Sequence, residues 1–239
     1  MEGTVSGSKP IVYPETDGKP IAETDMHIDA LISLREALKD HFRDTPHVYV
    51  AGNLLLYYEA GDPTACVAPD IFVVKGVTKQ NRRIYRLWEE GVSPAVVIEI
   101  TSRSTRLEDL GTKRALYAML GVQEYFVYDP LGEYLQPPLQ SYRLQGGEYE
   151  RMPPADEGRY VSQELGLQLC LEDGRLRLID QASGEPLLTP AEAQAARRAA
   201  EARVVQEATA RRVAEGRAAE IAAELDRVRA ELERQRRES

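Results

Sequence analysis

Cysteine is scarce in this chain, with Cys66 and Cys170 its only examples. Two thiols make no disulfide framework, and both have apolar neighbours, so they read as buried thiols of a cytoplasmic protein. Histidine is almost as rare. His27, His41 and His47 fall at no metal-ligating spacing, which argues against a zinc site. No apolar run approaches the ~20 residues of a membrane-spanning helix. The residues after Met1 are polar and make no secretory signal, so no membrane partner is expected. Phosphate-cradling glycine loops are missing too, since Gly146-Gly147 reads as a simple turn. Positive charge is in deficit. A formal net charge of −9 excludes a chain that coats nucleic acid along its whole surface.

What remains is a chain of 239 residues whose character changes along its length. Residues 1–25 form a polar, loop-like leader. Residues 26–42 place Ile28, Leu31, Leu34, Leu38 and Phe42 at helical spacing. Residues 48–58 read as a strand, 59–63 as a turn, and 66–74 as the strand that pairs back on the first. Residues 79–90 read as a short basic loop or helix. Residues 95–101 are apolar and rich in β-branched side chains except at Glu99, the pattern of a strand covered on both faces. A helix over 108–120 follows, with Leu110, Leu116, Tyr117 and Leu120 on its apolar side and Gly121 as its stop. A strand at 125–128 and short β pieces over 134–178 complete one α/β domain, residues 26–180.

From Thr189 the composition changes. The only later proline is Pro190 and the only later glycine Gly216, so Thr189 caps and Pro190 opens a long helix over 189–239. Ala214, Ala218, Ile221, Leu225, Val228 and Leu232 give it a short a/d seam, which suits a coiled coil with a second copy or with another protein. Residues 190–239 hold eleven Arg against ten Asp and Glu. The acidity therefore belongs to the rest of the chain, with 19 Lys and Arg against 29 Asp and Glu.

Chemistry concentrates at two strands. Asp70 opens one apolar run and Glu99 lies near the end of another. A carboxylate at the end of a buried strand is costly unless something compensates it. Two of them within ~4–5 Å raise each other's pKa unless a cation lies between, and hard oxygen ligands of this kind hold Mg²⁺ or Mn²⁺. Lys113, four residues after Asp109 at the start of the next helix, points to the same corner. There it would stabilise charge developing on phosphorus or orient the attacking water. The backbone carbonyl of Ile100 would add a metal ligand. Plainer readings stand beside these. Asp70 follows a proline and suits the end of a turn, and Glu99 would be satisfied by a buried ion pair with Lys113 or Arg114. Asp109 suits a helix N-terminus, Tyr117 suits packing, and Glu36 suits the surface beside Arg35 and Lys39. Two basic runs would offer a footprint for a phosphate backbone. One is Lys75, Lys79, Arg82, Arg83 and Arg86, which reads equally well as a solvated face; the other is Arg103, Arg106, Lys113 and Arg114.

The segments YYEAGDP, PDIFVV and VVIEITSRSTRLEDLGTKRALYAMLGVQEYFVYDP occur in this order within residues 25–178. They resemble the Uma-type family of restriction-endonuclease-like proteins, a branch of the PD-(D/E)XK nuclease superfamily. The resemblance implies an α-β-β-β-α-β core, a mixed sheet flanked by helices, here followed by the long C-terminal helix. It also implies Mg²⁺-dependent hydrolysis of phosphodiester bonds, of DNA with RNA also open, and Asp70 and Glu99 as the metal-binding acids. One position departs from the pattern. The superfamily's lysine stands two residues after the second acid, where this chain has Thr101, and Lys113 is the nearest substitute. Asp109 and Tyr117 match the family pattern, and Glu36 resembles an acid that some members add to the metal site. A homodimer fits the cutting of two strands. The alternative is a nuclease fold without turnover that acts as a scaffold through its C-terminal helix.

Overall fold

The computed structural model describes residues 11–16 and 24–238, so most of the expected leader lies outside the described residues. The chain divides into two compact units, residues 1–189 and 190–239. In the first, α1 (Asp25–His41) starts where the Thr24 side chain accepts a hydrogen bond from the backbone N–H of His27 at 3.3 Å. Its buried face carries His27, Leu34, Ala37 and Leu38, whereas Ile28 is 40% exposed. The expected stripe is thus corrected at its first turn. His27, Leu31, Leu34 and Leu38 follow the 4-3-4 spacing of one helix face, and Ile28 falls outside it.

The expected hairpin forms, but each arm is broken. β1 (Val48–Gly52) and β2 (Leu56–Tyr57) make the first arm, and β3 (Cys66–Val67) and β4 (Ile71–Lys75) the second. β1 pairs antiparallel with β4, and β2 with β3. Asn53 ends β1 with a positive φ of 49°, and its N–H reaches the carbonyls of Pro69 and Asp70. The outer halves therefore leave the main sheet and join β5 (Tyr85–Arg86) in a small sheet ordered β3-β2-β5. Residues 79–90, expected as a short basic loop or helix, supply a loop over 79–84, this strand and a one-turn helix, α2 (Leu87–Glu90). Cys170 is buried as expected, but Cys66 is only half-buried on its two-residue strand. Part of the leader packs as well: the ring of Tyr13 meets Tyr57 edge-on at 5.1 Å, and the Tyr57 hydroxyl donates to the carbonyl of Pro14.

β6 (Val96–Ile100), β7 (Glu124–Tyr128), β8 (Leu139–Gln145) and β9 (Glu148–Met152) complete a six-stranded mixed sheet, ordered β1-β4-β6-β7-β8-β9. Within it β6 and β7 are the parallel pair, and their crossover is helical. That crossover runs through α3 (Arg106–Glu108), a π-helical stretch (Asp109–Lys113) and α4 (Arg114–Met119). Gly121, at a φ of +79° that a side chain would strain, follows its end as expected. The sheet is buried on both faces. Ile71, Val73, Ile98, Ile100 and Phe126 meet Leu34 and Leu38 of α1. The same core takes in a small antiparallel sheet of β10 (Tyr160–Ser162), β11 (Leu167–Glu172) and β12 (Arg175–Asp180). Phe72, Val74, Val97, Tyr125 and Val127 fill the opposite core with Tyr85 and Tyr117. Strand alternation gives Glu99 the parity of Val97, which aims it at this second core.

The second unit is one helix, α5 (Pro190–Glu238), of 49 residues. Among the described residues no helix is long and apolar enough to cross a membrane.

Candidate active site

Antiparallel pairing of β4 and β6 matches Ile71 with Ile98, which brings the residue before β4 beside the end of β6. Asp70 and Glu99 meet there. The backbone N–H of Asp70 lies 3.4 Å from Glu99 Oε2, and Asp70 Oδ2 accepts the N–H of Ile100 at 2.7 Å. From α1, His27 Nε2 stands 3.3 Å from Asp70 Oδ1.

The crossover helix closes the corner. Lys113 Nζ is 3.0 Å from both Glu99 Oε2 and Asp109 Oδ1. The Tyr117 hydroxyl donates to Glu99 Oε1 at 2.6 Å. Thr101 Oγ1 donates to Asp109 Oδ2 at 2.8 Å, and the Tyr125 hydroxyl donates to the Asp109 carbonyl at 2.9 Å. Asp109, Lys113 and Tyr117 are spaced by four, which on an α-helix drifts about 40° around the axis at each step. The wider turn of the π-helical stretch takes that drift back. All three side chains can then serve one corner.

Burial decides the electrostatics. Glu99 is fully buried, and desolvation pushes its carboxyl well above the usual glutamate range; Asp70 and Asp109 add to the rise, while Lys113 and Tyr117 oppose it. For Asp70 burial also works upward, but the bond and charge of His27, the Lys113 ammonium and the Ile100 N–H outweigh it and hold the carboxyl below its ordinary value. Burial works against the charge of Lys113, yet Glu99, Asp109 and Asp70 together raise it above the ordinary lysine range. Desolvation, then the Glu99 charge, pushes the Tyr117 phenol up. Lys113 stays an ammonium. Tyr117 stays a donor.

Six of the residues singled out in the sequence, Asp70, Glu99, Thr101, Asp109, Lys113 and Tyr117, share this one bonded network. Ile100 enters it through its N–H. Glu36 does not: its carboxylate pairs with Arg35 at 2.7 Å and Lys39 at 3.5 Å. The first basic run is also committed elsewhere. Lys75 pairs with Glu164, Arg82 with Glu90, Arg83 with Glu15 and Arg86 with Glu89, and Lys79 donates to the carbonyls of Phe42 and Arg43. Of the second run, Arg103 and Arg106 are exposed on the segment that joins Thr101 to Asp109. Sequence reasoning missed His27 and Tyr125. His27 left one usable signal, its phase with Leu31, Leu34 and Leu38.

Among the described residues no three His, Cys, Asp or Glu side chains gather as a ready cation site. The corner nevertheless gathers the carboxyl groups of Asp70, Glu99 and Asp109 around the Lys113 ammonium, with His27 against Asp70. Mg²⁺ takes one or two protein carboxylates and completes its shell with water and phosphate oxygens, so this donor set suits it. A groove of about 560 Å³, lined by Pro137, Leu139, Arg151, Met152, Tyr160 and Leu171, shares no residue with the corner.

A sequence model of the family Uma2, described as "putative restriction endonuclease", matches residues 13–177. The chain belongs to the Uma2 family. A solved structure similar to this Uma2 chain is a "putative nuclease belonging to DUF820" from Anabaena variabilis. The two are 17% identical, with a TM-score of 0.45, over 63% of this chain and 81% of that one. Among curated proteins, none matches. The Uma2 match ends before α5 and spans the residues of the buried corner.

Proposed function

We propose that this Uma2 protein is a Mg²⁺- or Mn²⁺-dependent nuclease that hydrolyses phosphodiester bonds of DNA in the cytoplasm. The observation that carries this reading is the convergence of Asp70 and Glu99 at a buried corner beside the Lys113 ammonium. Asp70, Glu99 and the carbonyl of Ile100 would hold the cation. When bound it supplies a Lewis acid for a phosphoryl oxygen and an acidified water as nucleophile. The chain's own groups do the rest. His27 and the Ile100 N–H orient Asp70, and Tyr117 fixes Glu99. Thr101 holds Asp109, which keeps Lys113 at the corner. Lys113 then brings a permanent positive charge to the place where negative charge grows on phosphorus. Exposed Arg103 and Arg106 give the phosphate backbone a rim to meet. Cutting both strands of a duplex takes two such centres, and α5 is the element suited to pair them.

A second reading, a nuclease fold that binds without turnover, is favoured by Thr101 standing where the superfamily carries its lysine. The test is supercoiled plasmid incubated with Mg²⁺ or Mn²⁺, with single-stranded DNA and RNA as further substrates. The nuclease reading expects cleavage that EDTA stops and that Glu99→Ala lowers at least a hundredfold, a loss of about 2.7 kcal/mol of transition-state stabilisation. Equal background cleavage by wild type and Glu99→Ala leaves the scaffold reading.

A further inference from the structure

α5 buries none of its described side chains, although it carries an apolar stripe. Ile221, Leu225, Val228 and Leu232 are between 49% and 63% exposed. An isolated helix gains little from propensity alone, and a sustained stripe at 4-3 spacing is the mark of a helix that is covered. The charges beside the stripe indicate what covers it. With Ala218, Leu225 and Leu232 at the a positions and Ala214, Ile221 and Val228 at d, Glu224 and Glu231 occupy g positions, and Arg229 and Arg236 the e positions that follow them. In a parallel, in-register pair each g residue faces the next e residue of the other helix. Glu224 then meets Arg229, and Glu231 meets Arg236, each twice by symmetry. In an antiparallel pair centred on the same residues g faces g and e faces e, so Glu224 opposes its own copy although Arg217 meets Glu231. The parallel pair opposes no like charges, since Arg217 and Glu215 there face Ala222 and Ala210. Within the single helix these charges are loosely held: Glu224 lies 3.6 Å from Arg227, and Arg229 lies 4.0 Å from Asp226, all largely exposed. They are free to change partners. Gly216 falls at an outward f position, where a side chain would meet nothing. Arg211 and Glu207 fall on the a and d positions upstream, so the seam fades there.

We infer that residues 214–235 form a short parallel, in-register coiled coil with a second copy of this chain. The inference rests on α5 alone and stands whether or not the nuclease reading does. Arg and Glu are both strong helix formers, so exchanging them leaves the helix intact. Sedimentation of the full chain at about 100 µM shows a dimer. Glu224→Arg with Glu231→Arg weakens it at least tenfold, because four attractive pairs become repulsive. Adding Arg229→Glu and Arg236→Glu to the same chain restores it. Orientation is read by oxidising Ile221→Cys and, separately, Leu232→Cys, then mapping the linked peptides by mass spectrometry. In a parallel pair each variant joins position 221 to 221, or 232 to 232. A chain that stays monomeric overturns the inference and leaves the stripe to a different protein. A dimer indifferent to the charge reversal, or one that links neither position to itself, overturns it as well.

Discussion

Glu99 sets the energetics of the corner, since it is the one carboxylate there with no exposed surface and a raised pKa. Its folded-state pKa lies above the ordinary glutamate value, so over that interval the folded chain binds more protons than the unfolded one. Stability is then full below the ordinary range and falls as pH rises through the folded pKa. In EDTA the melting midpoint should drop as pH rises above the ordinary glutamate range, and Glu99→Gln should flatten that drop and melt several degrees higher at its upper end. A variant that melts lower than wild type at pH 8 would contradict the assignment of Glu99 as an under-compensated charge. This residue was legible in the sequence because an acid interrupts an apolar strand. Asp70 and Lys113 followed from it. His27 and Tyr125 did not, because which side of α1 faces Asp70, and which β7 hydroxyl reaches Asp109, is decided by packing between distant segments.

At the scale of elements, the stretch of β5 and α2 shows how a basic run is reassigned by folding. Arg82 donates from Nε and Nη2 to the two oxygens of Glu90 at 2.6 and 2.9 Å, and its guanidinium lies 4.3 Å from the centre of the Tyr49 ring. Its side chain is 4% exposed. Such a fork is a tie between segments, and with Nη1 donating to the carbonyls of Thr78 and Gln80 four of the five N–H donors are engaged within the chain. Arg82→Ala should cost about 3 kcal/mol in denaturant unfolding, since Glu90 keeps its charge without the partner, and should leave the salt slope of DNA binding unchanged. A salt slope reduced by about one would return Arg82 to the nucleic-acid surface. The helices and the β6 and β7 strands were readable from period and from Gly121. The breaks at residues 53–55 and 68–70 were not, because they arise where one hairpin is shared between two sheets. Nor was the π-helical stretch: Leu110, Leu116, Tyr117 and Leu120 fit an ordinary helix, and only Gly111 weakens the pattern.

Across the whole molecule the acidic excess lies in residues 1–189, while α5 is close to neutral. An acidic unit repels a phosphate backbone, so any duplex contact has to be made locally, at Arg103, Arg106 and the corner itself. Under the proposed function a cation held by Asp70 and Glu99 would make that corner more positive and tie substrate binding to metal binding. The account therefore stands or falls on the cation. Calorimetric titration of Mn²⁺ into the full chain at neutral pH tests it without requiring a substrate. One saturable Mn²⁺ per chain in the wild type, weakened at least tenfold in Asp70→Asn and in Glu99→Gln, is the predicted result. No saturable binding, or the same binding in all three proteins, would contradict it.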